Sequence, residues 1–127
     1  NLIPCELRPD PATGEVVARF PFGVRPLTAS ELRELGLASG SGGGFTAGIR
    51  PDRVHLVGPE ASVGPEGLGV IFEALVRRVE FQGEATLTTL QAGDATLLAR
   101  TAASATLQVG DARRWWFDLR DATWFPG

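Results

Sequence analysis

The sequence predicts an all-β, OB-like small barrel of five or more antiparallel strands, with minor helix and an N-terminal strand extension. Three observations predict it. Sixteen glycines and nine prolines among 127 residues punctuate the chain too often for long helices. Leu68, Val70, Phe72, Ala74 and Val76 alternate on one face, the period-two mark of a half-buried strand. Beyond Arg77-Arg78 the apolar positions shift phase to Val79 and Phe81. A one-residue slip is what a β-bulge produces, and a bulge lets a long strand coil around a small barrel.

Residues 3–7 and 15–20 read as short strands, joined through the turn-rich Pro9-Asp10-Pro11-Ala12-Thr13-Gly14. Residues 28–37 are the one good helical candidate: Ser30 is placed to cap it, Leu32 and Leu35 share a face, and Gly36 stops it. The Gly/Ser-rich residues 38–44 predict a flexible loop, and a strand over 45–49 follows. Pro51 then bars helix from the residue before it and pre-sets a turn, in which Asp52 is expected to accept a hydrogen bond from backbone ahead. Residues 54–57 form a strand, and the Pro/Gly-rich 58–67 a second loop. Further on, 85–90 and 95–100 predict a hairpin across Gln91-Ala92-Gly93-Asp94, and Leu107 and Val109 lead to a turn at Gly110-Asp111. In the last major strand Trp115, Phe117 and Leu119 share the core face; Trp116 and Asp118 are expected to point outward.

Composition excludes several classes of function. The length suits one domain with a core of its own. All twelve bases are arginine, against fifteen acids, so the formal charge is −3 and no diffuse basic field favours nucleic acid. One cysteine, Cys5, cannot form an internal disulfide and fits a reducing compartment. No apolar run reaches membrane-span length, and no signal peptide opens the chain. The chain contains no methionine, which predicts a piece of a longer protein.

Gly40-Ser41-Gly42-Gly43-Gly44 is glycine-rich, but a P-loop needs a lysine, and a dinucleotide fingerprint needs a strand before it and a helix after it. One histidine and one cysteine, far apart in sequence, make no zinc site. His55 has no Gly-x-Ser-x-Gly elbow to serve, and Glu31/Glu34 and Asp118/Asp121 read as ordinary exposed acids. The sequence therefore predicts no catalytic residue, no bound metal and no cofactor. Arg77, Arg78, Arg113 and Arg114 are candidates for contact with an anion, because guanidinium forks suit oxyanions. Trp116 first, then Trp124 and Phe125, are candidate anchors for a protein interface.

Several short motifs carry a resemblance. Gly48-Ile49-Arg50-Pro51-Asp52, the opening Asn1-Leu2-Ile3-Pro4, Val79-Glu80-Phe81-Gln82-Gly83-Glu84, Val109-Gly110-Asp111 and the aromatic Trp115-Trp116-Phe117-Asp118 occur in a characteristic order. Together they resemble the C-terminal regulatory domain of sugar-importer-type ABC transporter ATP-binding subunits, the maltose and glycerol-phosphate importers among them, which contains a transport-associated OB (TOBE) module. Asp52 stands where that family commonly has glutamate. The resemblance implies an N-terminal part over 1–57 ending in the Gly-Ile-Arg-Pro-Asp segment, a loop over 58–67 and a TOBE part over 68–127. It makes Gly48, Arg50, Pro51 and Asp52 structural. It implies a noncatalytic regulatory and dimerisation role beside an ATPase domain absent from this chain, where ATP and magnesium would bind. The expected partners are that ATPase domain, a second copy, membrane permease subunits reached indirectly, and regulatory proteins, at the cytoplasmic face of the cell membrane. Related modules bind molybdate-like anions, so the alternative is an oxyanion sensor.

Overall fold

The chain folds as two five-stranded antiparallel sheets that exchange their last strands. The structure is a computed structural model and describes residues 1–37, 43–58, 67–102 and 106–126. The first half runs through β1 (Leu2–Pro9), β2 (Val16–Phe20), β3 (Gly23–Leu27), helix α1 (Ala29–Glu34) and β4 (Gly43–Gly48). A 3-10 turn at Pro51–Arg53 then leads into β5 (His55–Leu56). The second half repeats the plan with β6 (Gly69–Gln82), β7 (Ala85–Ala92), β8 (Ala95–Ala102) and β9 (Ala112–Asp118), a 3-10 turn at Leu119–Asp121 and β10 (Thr123–Pro126).

Strand order shows the exchange. One sheet is β10-β4-β1-β2-β3 and the other β5-β9-β6-β7-β8, so each half's final strand completes its partner's sheet. The crossing points match: Ile49 N–H donates to the Asn1 carbonyl at 2.8 Å, and Leu119 N–H to the Leu68 carbonyl at 3.0 Å. Each sheet curls into an OB-like half-barrel, as the sequence predicts. An aromatic cluster joins the halves. Phe22, after β2, meets Phe72 of β6 with ring centroids 4.6 Å apart, and Phe20 meets Phe117 of β9 edge-on at 5.9 Å.

The predicted bulge is present. The β6–β7 register shifts between Val76 and Arg78, and Arg77 and Arg78 both lie on the exposed surface. Elsewhere the structure corrects the sequence. Thr28, not Ser30, caps α1: its hydroxyl accepts from Glu31 N–H at 3.1 Å while the Glu31 carboxylate accepts from Thr28 N–H at 2.9 Å. Such a reciprocal box satisfies two helix-end donors, which a single serine cannot do. Gly36 ends the helix as expected, with Leu37 N–H donating to the Leu32 carbonyl at 2.9 Å. β3 escaped the sequence reading because Pro26 argues against a strand; it is tolerated here because β3 is a sheet edge. Gly43 and Gly44 belong to β4 rather than to a loop. Residues 38–42 and nearly all of the 58–67 loop lie outside the described residues.

Candidate functional site

The start of β6 is where charged side chains from both halves converge. Gly67 has φ +58°, a left-handed conformation natural to glycine. From β3, the Arg25 guanidinium donates to the carbonyls of Gly69 at 3.3 Å and Gly67 at 3.4 Å, and to that of Pro26. It also faces the Glu31 carboxylate at 3.3 and 3.4 Å. From the turn after β9, Arg120 grips Asp118 with three bonds of 2.6–3.1 Å. Its Nη2, the nitrogen that holds Asp118 at 2.6 Å, lies against Gly67, so close that an added Cβ there would sit 2.5 Å from it. Two guanidiniums thus bracket one glycine.

The acids of this cluster are held ionised. The Glu31 carboxyl lies below its ordinary range, chiefly through the Thr28 backbone N–H, with Arg25 adding to the effect. The Asp118 carboxyl is lowered mainly by the Arg120 hydrogen bonds, and Asp118 also caps its turn by accepting from Arg120 N–H at 2.9 Å. Asp118 is buried rather than outward and exposed, because Arg120 folds over it. The two arginines differ in commitment. Arg120 is tightly engaged. Arg25 makes mostly long bonds, beyond the 2.7–3.2 Å or so of a good N–H···O contact. With Nη1 kept on the Pro26 carbonyl, its Nε and Nη2 donors can re-aim toward a better acceptor without losing a strong bond.

The four arginines proposed from sequence are not brought together. Arg113 stands opposite Ala74, and Arg114 opposite Glu73; both line a cleft of about 370 Å³ with Val57 and Gly58. Arg77 and Arg78 lie past Leu75–Ala112, the last β6–β9 pair, and Arg78 is paired with Glu80 at 2.6 Å. The Arg50-Pro51-Asp52 segment opens the first 3-10 turn, where the Asp52 carboxylate meets the Arg50 guanidinium at 3.3 Å. Gly48 leaves room for Phe125, whose ring would lie 3.1 Å from an added Cβ. Sequence reasoning missed the Arg25–Glu31–Asp118–Arg120 cluster. Two local signals point to its acids: the Thr-x-x-Glu spacing of a capping box, and the Asp-x-Arg spacing of a capped turn.

Trp116 is also corrected. Alternation does set it on the face away from Trp115, yet it is only 4 % exposed. His55 of the exchanged β5 stands directly opposite in register and lays its ring over the indole, centroids 4.6 Å apart. Trp116 therefore cannot anchor a partner. Trp124 is half-buried, edge-on to Phe45 at 6.2 Å, and Phe125 is exposed. Burial is the main cause that holds the His55 imidazole below its usual 6.5, opposed by Asp121. The unfolded chain then takes the proton more readily. Stability is expected to be full above 6.5 and to fall as pH drops through 6.5 toward the lower folded value. Urea midpoints at about pH 7.5 and about pH 5.5 check this, and His55→Gln should flatten the difference. An equal decline in both proteins would assign the effect to other groups.

The remaining chemistry is quiet. Burial pushes the Cys5 thiol up to about 12, which keeps it protonated and unreactive. Among the described residues no three His, Cys, Asp or Glu side chains are grouped to hold a metal, and no helix is long and apolar enough to cross a membrane.

Comparison with known proteins agrees with this architecture. The family model described as TOBE domain matches residues 47–125. Among solved structures, the chain is similar to the cytoplasmic molybdate-binding protein ModG in a molybdate-bound crystal form. The TM-score is 0.69 at 17 % identity, covering 100 % of this chain and 96 % of that one. No curated protein matches the chain.

Proposed function

The chain belongs to the TOBE domain family, and on that premise we propose that it is a noncatalytic domain that binds a small tetrahedral oxyanion of the molybdate or sulfate kind. The observation that carries the reading is the pair of guanidiniums on either side of Gly67, of which Arg25 meets Glu31 and the Gly67 and Gly69 carbonyls only through long bonds. In this reading Arg25 turns from Glu31 and the Gly67 and Gly69 carbonyls to the anion, which a planar fork of donors meets with two parallel bonds. Arg120 stays on Asp118 and adds positive potential from the other side. The ModG fold over the full chain supports the choice of anion. The Arg113–Arg114 cleft is the weaker location, since Glu73 faces Arg114 there.

A ligand that binds only the native state must stabilise it, by about 2.7 kcal/mol at a hundredfold excess over Kd. Molybdate, tungstate, sulfate and phosphate are expected to raise the melting temperature to different extents, and Arg25→Lys should blunt the best of them by removing the fork while keeping the charge. No shift with any anion at millimolar concentration would defeat the reading.

A second reading rests on Gly48-Ile49-Arg50-Pro51-Asp52 and its resemblance to importer ATPase regulatory domains. There the chain would be the regulatory part of an ATP-binding subunit, divided at residues 58–67 into an N-terminal and a TOBE part. It would pair with a second copy and sit at the cytoplasmic membrane face beside permease subunits, supporting uptake of a sugar or related solute. Phe125 and Trp124 remain its interface candidates, and ATP and magnesium would belong to the ATPase domain. A Walker lysine and ATPase signature upstream of Asn1 would establish this context; it is compatible with oxyanion binding as the domain's signal.

A further inference from the structure

The exchange of strands relates the Arg120 turn of one half to the Arg50 turn of the other, and beside Arg50 lies a second, differently built cleft. It encloses about 410 Å³ between Arg50-Pro51-Asp52, the β6–β7 hairpin at Gln82 and Leu87, and β8 at Leu98 and Arg100. Its charge is unbalanced: two guanidiniums face one carboxylate. Arg50 spans 3.3 Å to Asp52 on the exposed surface, and Arg100 makes no ion pair among the described residues. Its other lining is apolar. Leu98 is left 37 % exposed beside Leu87 and Pro51.

At Leu98 the backbone of this wall is already satisfied. The Asn1 side-chain amide donates to the Leu98 carbonyl at 2.7 Å and accepts from Leu98 N–H at 2.6 Å, replacing a neighbouring strand. An added peptide strand is therefore refused at Leu98, and what remains to be recognised is side-chain chemistry. A bare inorganic anion would leave the leucines wet. A neutral apolar molecule would leave the arginines unmet.

We propose that this cleft binds an organic anion: a phosphate monoester or carboxylate carried on a compact apolar body. The anionic group meets Arg100 and Arg50 with the Gln82 amide, and the apolar body covers Leu87, Leu98 and Pro51. The cleft volume falls in the 300–1,000 Å³ or so typical of small-molecule sites. The site is separate from the Arg25–Arg120 cluster, so the two proposals stand or fall independently.

Isothermal titration of the whole chain with phenyl phosphate tests it. Saturable binding is expected, weakened about tenfold or more by Arg100→Ala, as for the loss of a charge-assisted contact. Leu98→Ser should weaken it severalfold, while Arg25→Ala should leave it unchanged. Inorganic phosphate should compete poorly. Absence of binding at about 10 mM phenyl phosphate would overturn the proposal. So would binding that survives Arg100→Ala but is lost in Arg25→Ala, or equal competition by inorganic phosphate. Retained β-sheet circular dichroism in each variant separates lost binding from lost fold.

Discussion

Replacing Phe117 by alanine is expected to destabilise the chain by about 3–5 kcal/mol, the range for removing a fully buried aromatic ring from a close-packed core. Phe117 has no exposed surface. Its ring touches Phe20 at 5.9 Å, Phe22 at 6.1 Å and Phe72 at 5.8 Å, two of them edge-on. Two of these partners belong to the first half of the chain and one to the second. The void would therefore open between the two sheets, where neither can close it without moving the other. Against a typical total of about 5–15 kcal/mol, such a loss is large. Urea denaturation followed by tryptophan fluorescence should show a lower midpoint with unchanged slope, in one cooperative step. A loss below about 1 kcal/mol would mean that the halves are not packed through this ring.

Gly93→Ala should be nearly as costly, by about 2–5 kcal/mol. Gly93 turns β7 into β8 with φ +56°, where a side chain costs about 1–2 kcal/mol. The turn also presses on the other half of the molecule: a Cβ at Gly93 would collide with the carbonyl of Pro21. That neighbour is backbone at the β2–β3 turn and cannot swing aside, so overpacking adds about 1–3 kcal/mol. Gly83 is the matched control. It has φ +67° but open space around it, so Gly83→Ala should carry the conformational cost alone. Equal losses at both glycines, measured by the same urea titration, would show that the Pro21 contact contributes nothing.

What the sequence makes legible is local. The alternation from Leu68 to Val76 and the slip at Arg77-Arg78 belong to one strand, so period and phase locate both β6 and its bulge. The exchange of β5 and β10 is not legible, because a two-residue strand carries almost no periodic signal and its partner lies some sixty residues away. The burial of Trp116 is hidden for that reason: alternation gives the face, but only the pairing with β5 shows that His55 covers it. The seam site is hidden in the same way. Arg25 reaches Gly69 across 44 positions, and nothing near Val24-Arg25-Pro26 announces a charged cluster. The Asp118–Arg120 grip is local, yet strand alternation alone assigned Asp118 to solvent.

Titration calorimetry with molybdate, on the wild type and on an Arg25→Ala/Arg120→Ala double variant, tests the central claim most directly. The account predicts saturable binding to the wild type, and a loss of at least about tenfold in the variant, which removes the Arg25 contact together with the positive potential of Arg120. Far-ultraviolet circular dichroism should show the sheets intact in both. Molybdate binding of equal strength in the two proteins, or none to the wild type, would contradict an oxyanion site between Arg25 and Arg120.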